Sequence, residues 1–142
     1  MERFIKGDVV VIPFPFSDLS QYKKRPALVI ANLEGEDLIL CQITSKYKKD
    51  KYSINLNKSD FREGNLKIDS FIRPNKIFTA HKDLILYKVG HIKKEKNMEV
   101  FFKKRNIHYG LSDNCEKETY IEVKKNENSK YARFIKTIQN RC

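Results

Sequence analysis

The 142-residue sequence has little of several residue types, and each shortage excludes a class of protein. Three cysteines, an odd number without any Cys-x-x-Cys pair, argue against a disulfide framework and against a zinc site of the usual spacing. Five glycines and four prolines are too few for a collagen-like or linker-rich chain. No apolar run approaches the roughly 20 residues that a membrane-spanning helix needs, and residues 1–6 contain a glutamate and a lysine, unlike a signal peptide. We therefore expect a cytoplasmic protein with reduced thiols.

What the sequence has in excess is positive charge. Lysine and arginine together number 29, aspartate and glutamate number 18, and the net charge is +11 at pH 7. Hydrophobic residues make up 40% of the chain, which is enough to form the core of one domain of ordinary size. The charge favours a polyanionic partner such as nucleic acid, an acidic membrane surface or an acidic protein. A lysine-rich genome would produce the same excess without any such partner.

The first two thirds of the chain have the pattern of strands. Short apolar and β-branched runs, each bounded by polar or turn-forming residues, predict strands at residues 9–12, 26–31, 38–44, 52–56, 69–80 and 84–89. An acidic turn at residues 34–37 joins the second and third of these strands as a hairpin. Pro13 and Pro15 should end the first strand or leave it at an edge of the sheet, because proline has no N–H to donate.

The last third changes to a helical period. An apolar stripe that begins at Met98 predicts a helix from about residue 93, and Gly110 should end it. Apolar residues at helical spacing predict a second helix at residues 129–139. The fold class is therefore mainly β with helices (α+β), in the form of a small antiparallel barrel or a strongly bent sheet with helical appendages.

Few residues carry recognisable catalytic chemistry. The sequence contains no phosphate-binding glycine loop, nucleophile elbow or His-Glu-x-x-His motif. His81, His91 and His108 each lie at an element boundary among lysines, so we expect surface or capping roles, although a histidine pair could also perform acid–base chemistry on RNA. The carboxylates are scattered, and we expect neither a metal site nor a cofactor.

The most informative stretch is the basic segment that precedes the second predicted strand. Residues 22–25 include three cations, and Pro26 forces Arg25 into an extended backbone. Such a segment is either a solvated basic turn or a rigid mount for a guanidinium that is aimed at phosphate. Composition alone does not decide between the two.

Four blocks of the sequence resemble a known family. They are GDVVVIPFPFSDLS at residues 7–20, KRPALVI at 24–30, CQITS at 41–45 and LKIDSFIRPNKI at 66–77. In this order and at this spacing they closely resemble the PemK/MazF toxins of type II toxin–antitoxin pairs, over roughly residues 4–106. The sequence departs from the family pattern at Ser20, where some members have an acid, and at Phe78, where many members have an arginine.

The resemblance implies an SH3-like small barrel with a C-terminal helix, in a homodimer that cleaves single-stranded RNA (mRNA) without metal or cofactor. It implies that Arg25 and Thr44 form the catalytic pair, with attack by the 2′-hydroxyl of the RNA leaving 2′,3′-cyclic phosphate and 5′-hydroxyl ends. Residues 1–110 would form the toxin domain, and residues 111–142 would be a helical extension packed on it. We also expect an inhibiting antitoxin with an acidic segment that lies across the basic groove, and no membrane partner.

Further residues are predicted to bind RNA. Lysines that flank the pair would neutralise phosphates. Tyrosines would stack on unpaired bases, unless they are half-buried barrel aromatics. Other positions lie where members of the family touch RNA. The whole set is Tyr22, Lys23, Lys24, Ser45, Lys46, Tyr47, Lys76 and Thr79.

Two other functions remain open at this stage. A non-catalytic RNA-binding SH3-like module would keep the basic groove and bind RNA without cutting it. A poison of DNA topoisomerase is the second, since another toxin family with the same barrel attacks gyrase through its C-terminal residues. The presence of both Arg25 and Thr44 favours the endoribonuclease over either.

Overall fold

The structure, a computed structural model, describes residues 3–15 and 22–111 of the chain. The chain divides into two compact units, Met1–Val100 and Phe101–Cys142. Among the described residues, no helix combines the length and the hydropathy that a membrane crossing requires. The regular elements are β1 (Asp8–Pro15), β2 (Tyr22–Asn32), β3 (Asp37–Thr44), β4 (Ile54–Leu56), β5 (Phe61–Gly64), β6 (Ser70–His81), β7 (Tyr87–Ile92) and α1 (Lys94–Tyr109).

The two outer strands of the sheet are joined by a very short connection. The strand order is β4-β6-β3-β2-β1-β7-β5, so β4 and β5 lie at opposite edges. In a flat sheet, the spacing of about 4.8 Å between neighbouring strands would separate those edges by about 29 Å. The chain from Leu56 to Phe61, which includes a 3-10 turn at Lys58–Asp60, can span at most about 17 Å. The sheet therefore curls into an antiparallel half-barrel, and the predicted mainly β fold is confirmed.

The curl gives the sheet an inner and an outer apolar face. An inner cluster takes buried side chains from all seven strands, namely Val9, Leu28, Cys41, Ile43, Ile54, Leu56, Phe61, Ile72 and Ile92. Because it joins both edge strands to the central ones, this cluster lies inside the curl. Successive residues of a strand point to opposite faces, so Val10, Ala27, Val29 and Leu40 belong to a separate outer cluster.

β1 runs through Pro13 to Pro15 rather than ending at the first proline. Pro13 pairs with Lys24 of β2, while β7 pairs with β1 only from Asp8 to Val11. The two prolines, which have no N–H to donate, therefore lie where β1 pairs with β2 but no longer with β7. This part of β1 is an edge of the sheet, as predicted. β2 correspondingly begins at Tyr22, four residues before its predicted start, because the extended β1 pairs with this basic segment.

The last strand and its approach differ from the prediction. Of the strand predicted at residues 84–89, residues 87–89 lie in β7 (Tyr87–Ile92), whereas Leu84 ends a 3-10 turn, Lys82–Leu84. His81 caps that turn, because its Nδ1 accepts a hydrogen bond from the N–H of Asp83 at 3.1 Å. The strand therefore begins three residues later than predicted, because the 3-10 turn that ends at Leu84 precedes the sheet.

The helix prediction is confirmed where the structure describes it. α1 ends at Tyr109, and Gly110 follows with a φ of +67°, the left-handed conformation that ends many helices. The helix predicted at residues 129–139 lies outside the described residues, as does nearly all of the extension at residues 111–142. The domain boundary at residue 110 therefore stays a prediction.

The described part of the second unit is the C-terminal half of α1. There the guanidinium of Arg105 lies 5.0 Å from the centroid of the Phe102 ring and donates from Nε to the side-chain oxygen of Asn106 at 3.0 Å. The N–H of Leu111 donates to the carbonyl oxygen of Asn106 at 2.8 Å, which closes the end of the helix.

Gly64 and Gly35 both have positive φ, +68° and +85°, but Gly64 is far more crowded. A Cβ at Gly64 would lie 2.0 Å from the carbonyl oxygen of Val89, whereas a Cβ at Gly35 would meet no atom within 4 Å. We expect Gly35→Ala to lower the free energy of unfolding by about 1 kcal/mol through backbone strain alone. Gly64→Ala should lower it by about 3 kcal/mol, because the clash adds to the strain. Urea denaturation measures both, and equal losses would contradict the crowding at Gly64.

Candidate functional site

β3 lies at the centre of the candidate site, because both of its neighbours carry an arginine near the same end. On one side, β2 pairs Ala27 with Gln42, and extending that register by two residues brings Arg25 level with Thr44. On the other side, β6 pairs Arg73 with Gln42. Residues directly opposite each other on neighbouring strands point to the same face. The outer face therefore carries Arg25, Gln42, Thr44 and Arg73, next to the outer cluster.

The two members of the predicted catalytic pair come from different strands and share one face. In an antiparallel pair, the Cα atoms of directly opposite residues are about 4.5–5.5 Å apart. Arg25 is half-buried, and its backbone also pairs with Ile12 of β1. Its strand is thus held in the sheet, which favours the rigid mount over the solvated basic turn.

Thr44 is the last residue of β3, and only 8% of its surface is exposed. Its Oγ1 accepts a hydrogen bond from the N–H of Lys46 at 3.1 Å, which fixes the hydroxyl oxygen at the start of the following loop. Because the oxygen is the acceptor of that bond, the hydroxyl hydrogen can be donated to an anion.

Arg73 is a buried arginine to which the sequence analysis gave no role. Its side chain is 8% exposed, and Nη1 donates to both carboxylate oxygens of Asp50, at 3.0 and 2.7 Å, and to the hydroxyl of Ser53 at 2.6 Å. The bond from Arg73, together with the N–H groups of Tyr52 and Ser53, holds the pKa of Asp50 below its usual range. A carboxylate and a guanidinium thus neutralise each other beside the candidate site.

A pattern in the sequence could have indicated Arg73. The dipeptide Arg73-Pro74 repeats Arg25-Pro26, and in both cases the proline keeps the arginine extended. The two dipeptides lie on β2 and β6, the two neighbours of β3. The partnership with Asp50 had no comparable signal, because that aspartate lies in a loop far away in sequence.

The two predicted RNA-binding tyrosines are exposed. The exposed fraction is 69% for Tyr47 and 68% for Tyr22. The ring of Tyr47 meets that of Phe71 edge-on, with the centroids 5.7 Å apart, and Phe71 lies opposite Thr44. Tyr47 is therefore close to the Thr44 end of β3 with most of its ring accessible, unlike a half-buried barrel aromatic.

Strand alternation separates the predicted binding residues of β2. Lys23 and Arg25 are two residues apart and share the outer face, whereas Tyr22 and Lys24 point to the other face. The three predicted binding residues that follow β3 directly are all exposed, namely Ser45, Lys46 and Tyr47.

Thr79 lies away from the pair, whereas Lys76 lies nearer to it, beside the Cys41 and Gln42 positions of β3. Lys76 is exposed in the bulge of β6. Thr79 pairs with Ile39, which is five residues from Thr44 along β3, or about 17 Å, and points to the other face. The fold does not bring Thr79 to the end of the sheet where Arg25 and Thr44 lie.

Phe78 occupies the position where many members of the resembled family have an arginine. It pairs with Leu40, packs against the outer cluster, and meets Phe14 edge-on with the ring centroids 5.1 Å apart. This position contributes packing rather than charge in the present chain.

A second charged cluster lies between β1 and β7. The buried carboxylate of Asp8 is 2.8 Å from Nδ1 of His91 and 3.4 Å from Nζ of Lys88, and it accepts the N–H of Ile5 at 2.8 Å. A hydrogen bond to Glu63, together with the charge of Asp8, raises the pKa of Lys88. His91 is therefore part of a buried network and not a surface residue as expected. Within residues 3–15 and 22–111, no three His, Cys, Asp or Glu side chains converge as metal ligands would.

Comparisons with known proteins agree with the resemblance seen in the sequence. The family model described as PemK-like, MazF-like toxin of type II toxin-antitoxin system matches residues 5–103. No curated protein sequence matches the chain significantly.

Several solved structures share the fold. The MazE-MazF crystal structure (Form-II) from Deinococcus radiodurans has a TM-score of 0.63 at 17% identity, with 79% of this chain and 100% of that chain covered. An endoribonuclease from a mycobacterial species has a TM-score of 0.57 at 17% identity, covering 78% and 95%. A mycobacterial endoribonuclease in complex with its cognate antitoxin has a TM-score of 0.55 at 18% identity, covering 79% and 98%.

The ion pair between Asp50 and Arg73 predicts a dependence of stability on pH. Because the pKa of Asp50 is lowered in the folded protein, its stabilising contribution is present above the pKa of the unfolded state, about 3.9, and is lost as the pH falls through the lowered value. Asp50→Asn should therefore be less stable than wild type at pH 7, and the difference in Tm should shrink below about pH 4.

Thermal unfolding of both proteins between pH 7 and pH 2 measures this difference. Glu34→Gln, in the exposed turn between β2 and β3, removes the same charge and serves as the control. A difference in Tm between Asp50→Asn and wild type that stays constant over the whole range would contradict the ion pair.

Proposed function

Because the chain belongs to the PemK-like, MazF-like toxins of type II toxin–antitoxin systems, we propose that it is an endoribonuclease toxin that cleaves single-stranded RNA. The observation that carries the proposal is the register of β2 and β3, which pairs Ala27 with Gln42 and, continued by two residues, sets Arg25 opposite Thr44 on the outer face. A cation on a backbone-paired strand and a hydroxyl whose oxygen is held by the N–H of Lys46 then lie at one end of the sheet, where one phosphodiester can contact both.

The proposed reaction uses a nucleophile that RNA itself supplies. The 2′-oxygen loses its proton as it forms a bond to phosphorus, and the bond from phosphorus to the 5′-oxygen breaks, with a proton arriving on that oxygen. The products are a 2′,3′-cyclic phosphate and a 5′-hydroxyl. Since the attacking and leaving groups both belong to the substrate, the enzyme has to orient them and stabilise the crowded, doubly negative phosphorane, and we propose that it does so without a metal ion.

Arg25 is assigned the stabilisation of charge. Its guanidinium keeps its proton at any ordinary pH, so it acts as a permanent cation rather than as a base. Its forked N–H groups match two non-bridging oxygens of a phosphate. Donors that are already in place contribute most where charge develops in the transition state.

Thr44 is assigned the orientation of the reacting phosphate. Its oxygen is held by the N–H of Lys46, so its hydrogen has a restricted set of directions. A hydroxyl fixed in this way can donate to a non-bridging oxygen or orient the 2′-oxygen for attack. Removing the hydroxyl while keeping the shape of the side chain tests this role directly.

Binding of the RNA strand is assigned to groups around the pair. Lys23 on the outer face and Lys46 after β3 would neutralise neighbouring phosphates, and the exposed ring of Tyr47 would stack on an unpaired base. Tyr22, Lys24, Ser45, Lys76 and Thr79 remain candidates for contacts further along the strand.

We propose two protein partners. The net charge of +11 and the basic outer face suit an antitoxin with an acidic segment that covers the groove. The structurally similar mycobacterial endoribonuclease in complex with its cognate antitoxin supports such a partner. A second copy of the chain, in a homodimer, is the other partner that the family resemblance implies.

Arg25→Ala and Thr44→Val should each reduce RNA cleavage by about 100- to 1000-fold, because each removes one donor to the developing charge. The assay is cleavage of a long RNA in the presence of EDTA, with the chemistry of both new ends determined. Arg62→Ala, which removes an exposed arginine from the edge strand β5, is the matched control and should cleave normally.

Several outcomes of this assay would overturn part of the proposal. If either variant cleaves like wild type, the role given to that residue is wrong. If wild type leaves RNA intact but shifts it on a gel, the non-catalytic RNA-binding module is the better description. Loss of all cleavage in EDTA that magnesium restores would contradict the metal-independent reaction.

Lys23→Ala and Lys24→Ala provide a matched pair on opposite faces of β2. If Lys23 contacts a phosphate, its loss should weaken binding of single-stranded RNA and reduce the slope of log affinity against log salt by about 0.7. Lys24→Ala should change the slope much less, because that side chain points to the other face. Fluorescence anisotropy at several salt concentrations, with fully 2′-O-methylated RNA that resists cleavage, measures both slopes. Equal slopes for the two variants would show that the face of the strand does not matter.

A further inference from the structure

The loop that follows Thr44 has an unusual charge distribution. Residues 45–53 join β3 to β4 and contain four lysines within six positions, with one carboxylate, Asp50, among them. Four like charges so close together repel one another and would by themselves extend the loop into solvent. The loop nevertheless contacts the sheet at three points.

β6 provides two of these points. Phe71 and Arg73 are two residues apart and share the outer face, opposite Thr44 and Gln42 respectively. Phe71 meets the ring of Tyr47, and Arg73 binds Asp50 and Ser53. The early and late parts of the loop are thus attached to neighbouring positions of one strand.

The third point is Thr44 itself. The N–H of Lys46 donates to Thr44 Oγ1, so the position of the loop and the direction of this hydroxyl depend on each other. A loop that moved away from β6 would take the N–H of Lys46 with it and release the hydroxyl.

The ion pair between Arg73 and Asp50 attaches the loop to β6. The side chain is 8% exposed, so its charge has little access to water and requires a partner within the protein. Asp50 is that partner, and the same carboxylate also accepts the N–H groups of Tyr52 and Ser53, which shapes the end of the loop. Within the described part of the chain, the side-chain partners recorded for Arg73 are Asp50 and Ser53, both in the loop, so this buried cation keeps the loop against the sheet.

We propose that Arg73 is a positioning residue, which acts through Asp50 to hold loop 45–53 as a preformed RNA-binding platform beside Arg25 and Thr44. The platform presents the ring of Tyr47 and the charge of Lys46 to the nucleotide next to the scissile phosphate. This inference rests on the proposed function, because the substrate of the platform is the RNA that the pair would cleave. Arg73 is assigned no contact with the substrate, since its side chain is 8% exposed and its Nη1 group donates to Asp50 and Ser53.

Asp50→Ala tests the proposal because it removes the loop partner and leaves β6 intact. The decisive measurement is hydrogen exchange at the amide of Lys46, which is bonded to Thr44 and lies four residues from the changed side chain. We expect exchange there to accelerate at least about tenfold, since one broken attachment loosens the whole loop. KM for a short RNA should rise about tenfold through loss of the ordered stacking ring, and kcat should fall as well, because the Thr44 hydroxyl is no longer held by the Lys46 amide.

Three further variants separate positioning from simple structural support. Asp50→Glu keeps the charge and should restore most of the wild-type exchange and KM. Phe71→Leu removes the other attachment and should raise KM in the same way without touching the ion pair. Lys49→Ala removes a charge from the same loop and should leave exchange at Lys46 unchanged.

Some results would overturn the inference. If Asp50→Ala lowers Tm but leaves both KM and the exchange of the Lys46 amide at wild-type values, the ion pair only supports the fold. If Asp50→Ala does not fold, Asp50→Asn, which removes the charge and keeps the shape of the side chain, decides in the same way.

The inference can fail separately from the proposed function. A wild-type protein that binds 2′-O-methylated RNA but does not cleave RNA would overturn the nuclease, and affinity for that RNA would replace KM as the test of the platform. A wild-type protein that does not bind RNA would overturn both.

Discussion

The pairing of β3 with a strand on each side is the constraint on which the candidate site depends. β2 brings Arg25 to one side of Thr44, and β6 brings Phe71 and Arg73 to the other. These residues are far apart in sequence, and only the two registers make them neighbours. A shift of either register by one residue would turn its arginine to the other face. The relative positions of Arg25, Thr44 and Arg73 therefore depend on the backbone pairing of β3 with β2 and β6.

The curl of the sheet separates the side of β3 that forms the larger core from the side that carries the candidate site. The short connection between the edge strands closes the inner face around the larger apolar cluster, which supplies the core. The side chains of the outer face change from apolar to polar along its strands. It is apolar at Ala27 and Leu40, and it becomes polar at Arg25, Gln42 and Thr44 as the strands approach the loop after β3. The larger core cluster and the candidate site thus lie on opposite sides of the same strands.

Local patterns predicted much of this architecture because they depend on neighbours in sequence. Alternation located most strands, the apolar stripe and Gly110 located the end of α1, and Pro26 indicated the extended backbone of Arg25. The errors have a common cause. β1 continues past Pro13 because β2 pairs with it on its other side, and the run at residues 84–86 is not a strand because β7 meets β1 further along. The end of β1 and the start of β7 thus depend on the strands with which they pair.

The sequence by itself determined the fold class, the family resemblance and the identity of the pair to be tested, since motif residues and hydrophobic periods are properties of the chain order. The tertiary structure alone decided which predicted residues share a face and which do not, and it revealed the bond between Arg73 and Asp50. It also showed that Phe78 packs against Phe14 and the outer cluster. The physical reason is that register, bulges and burial arise from contacts between distant segments, and a buried charge selects its partner by proximity in the folded chain.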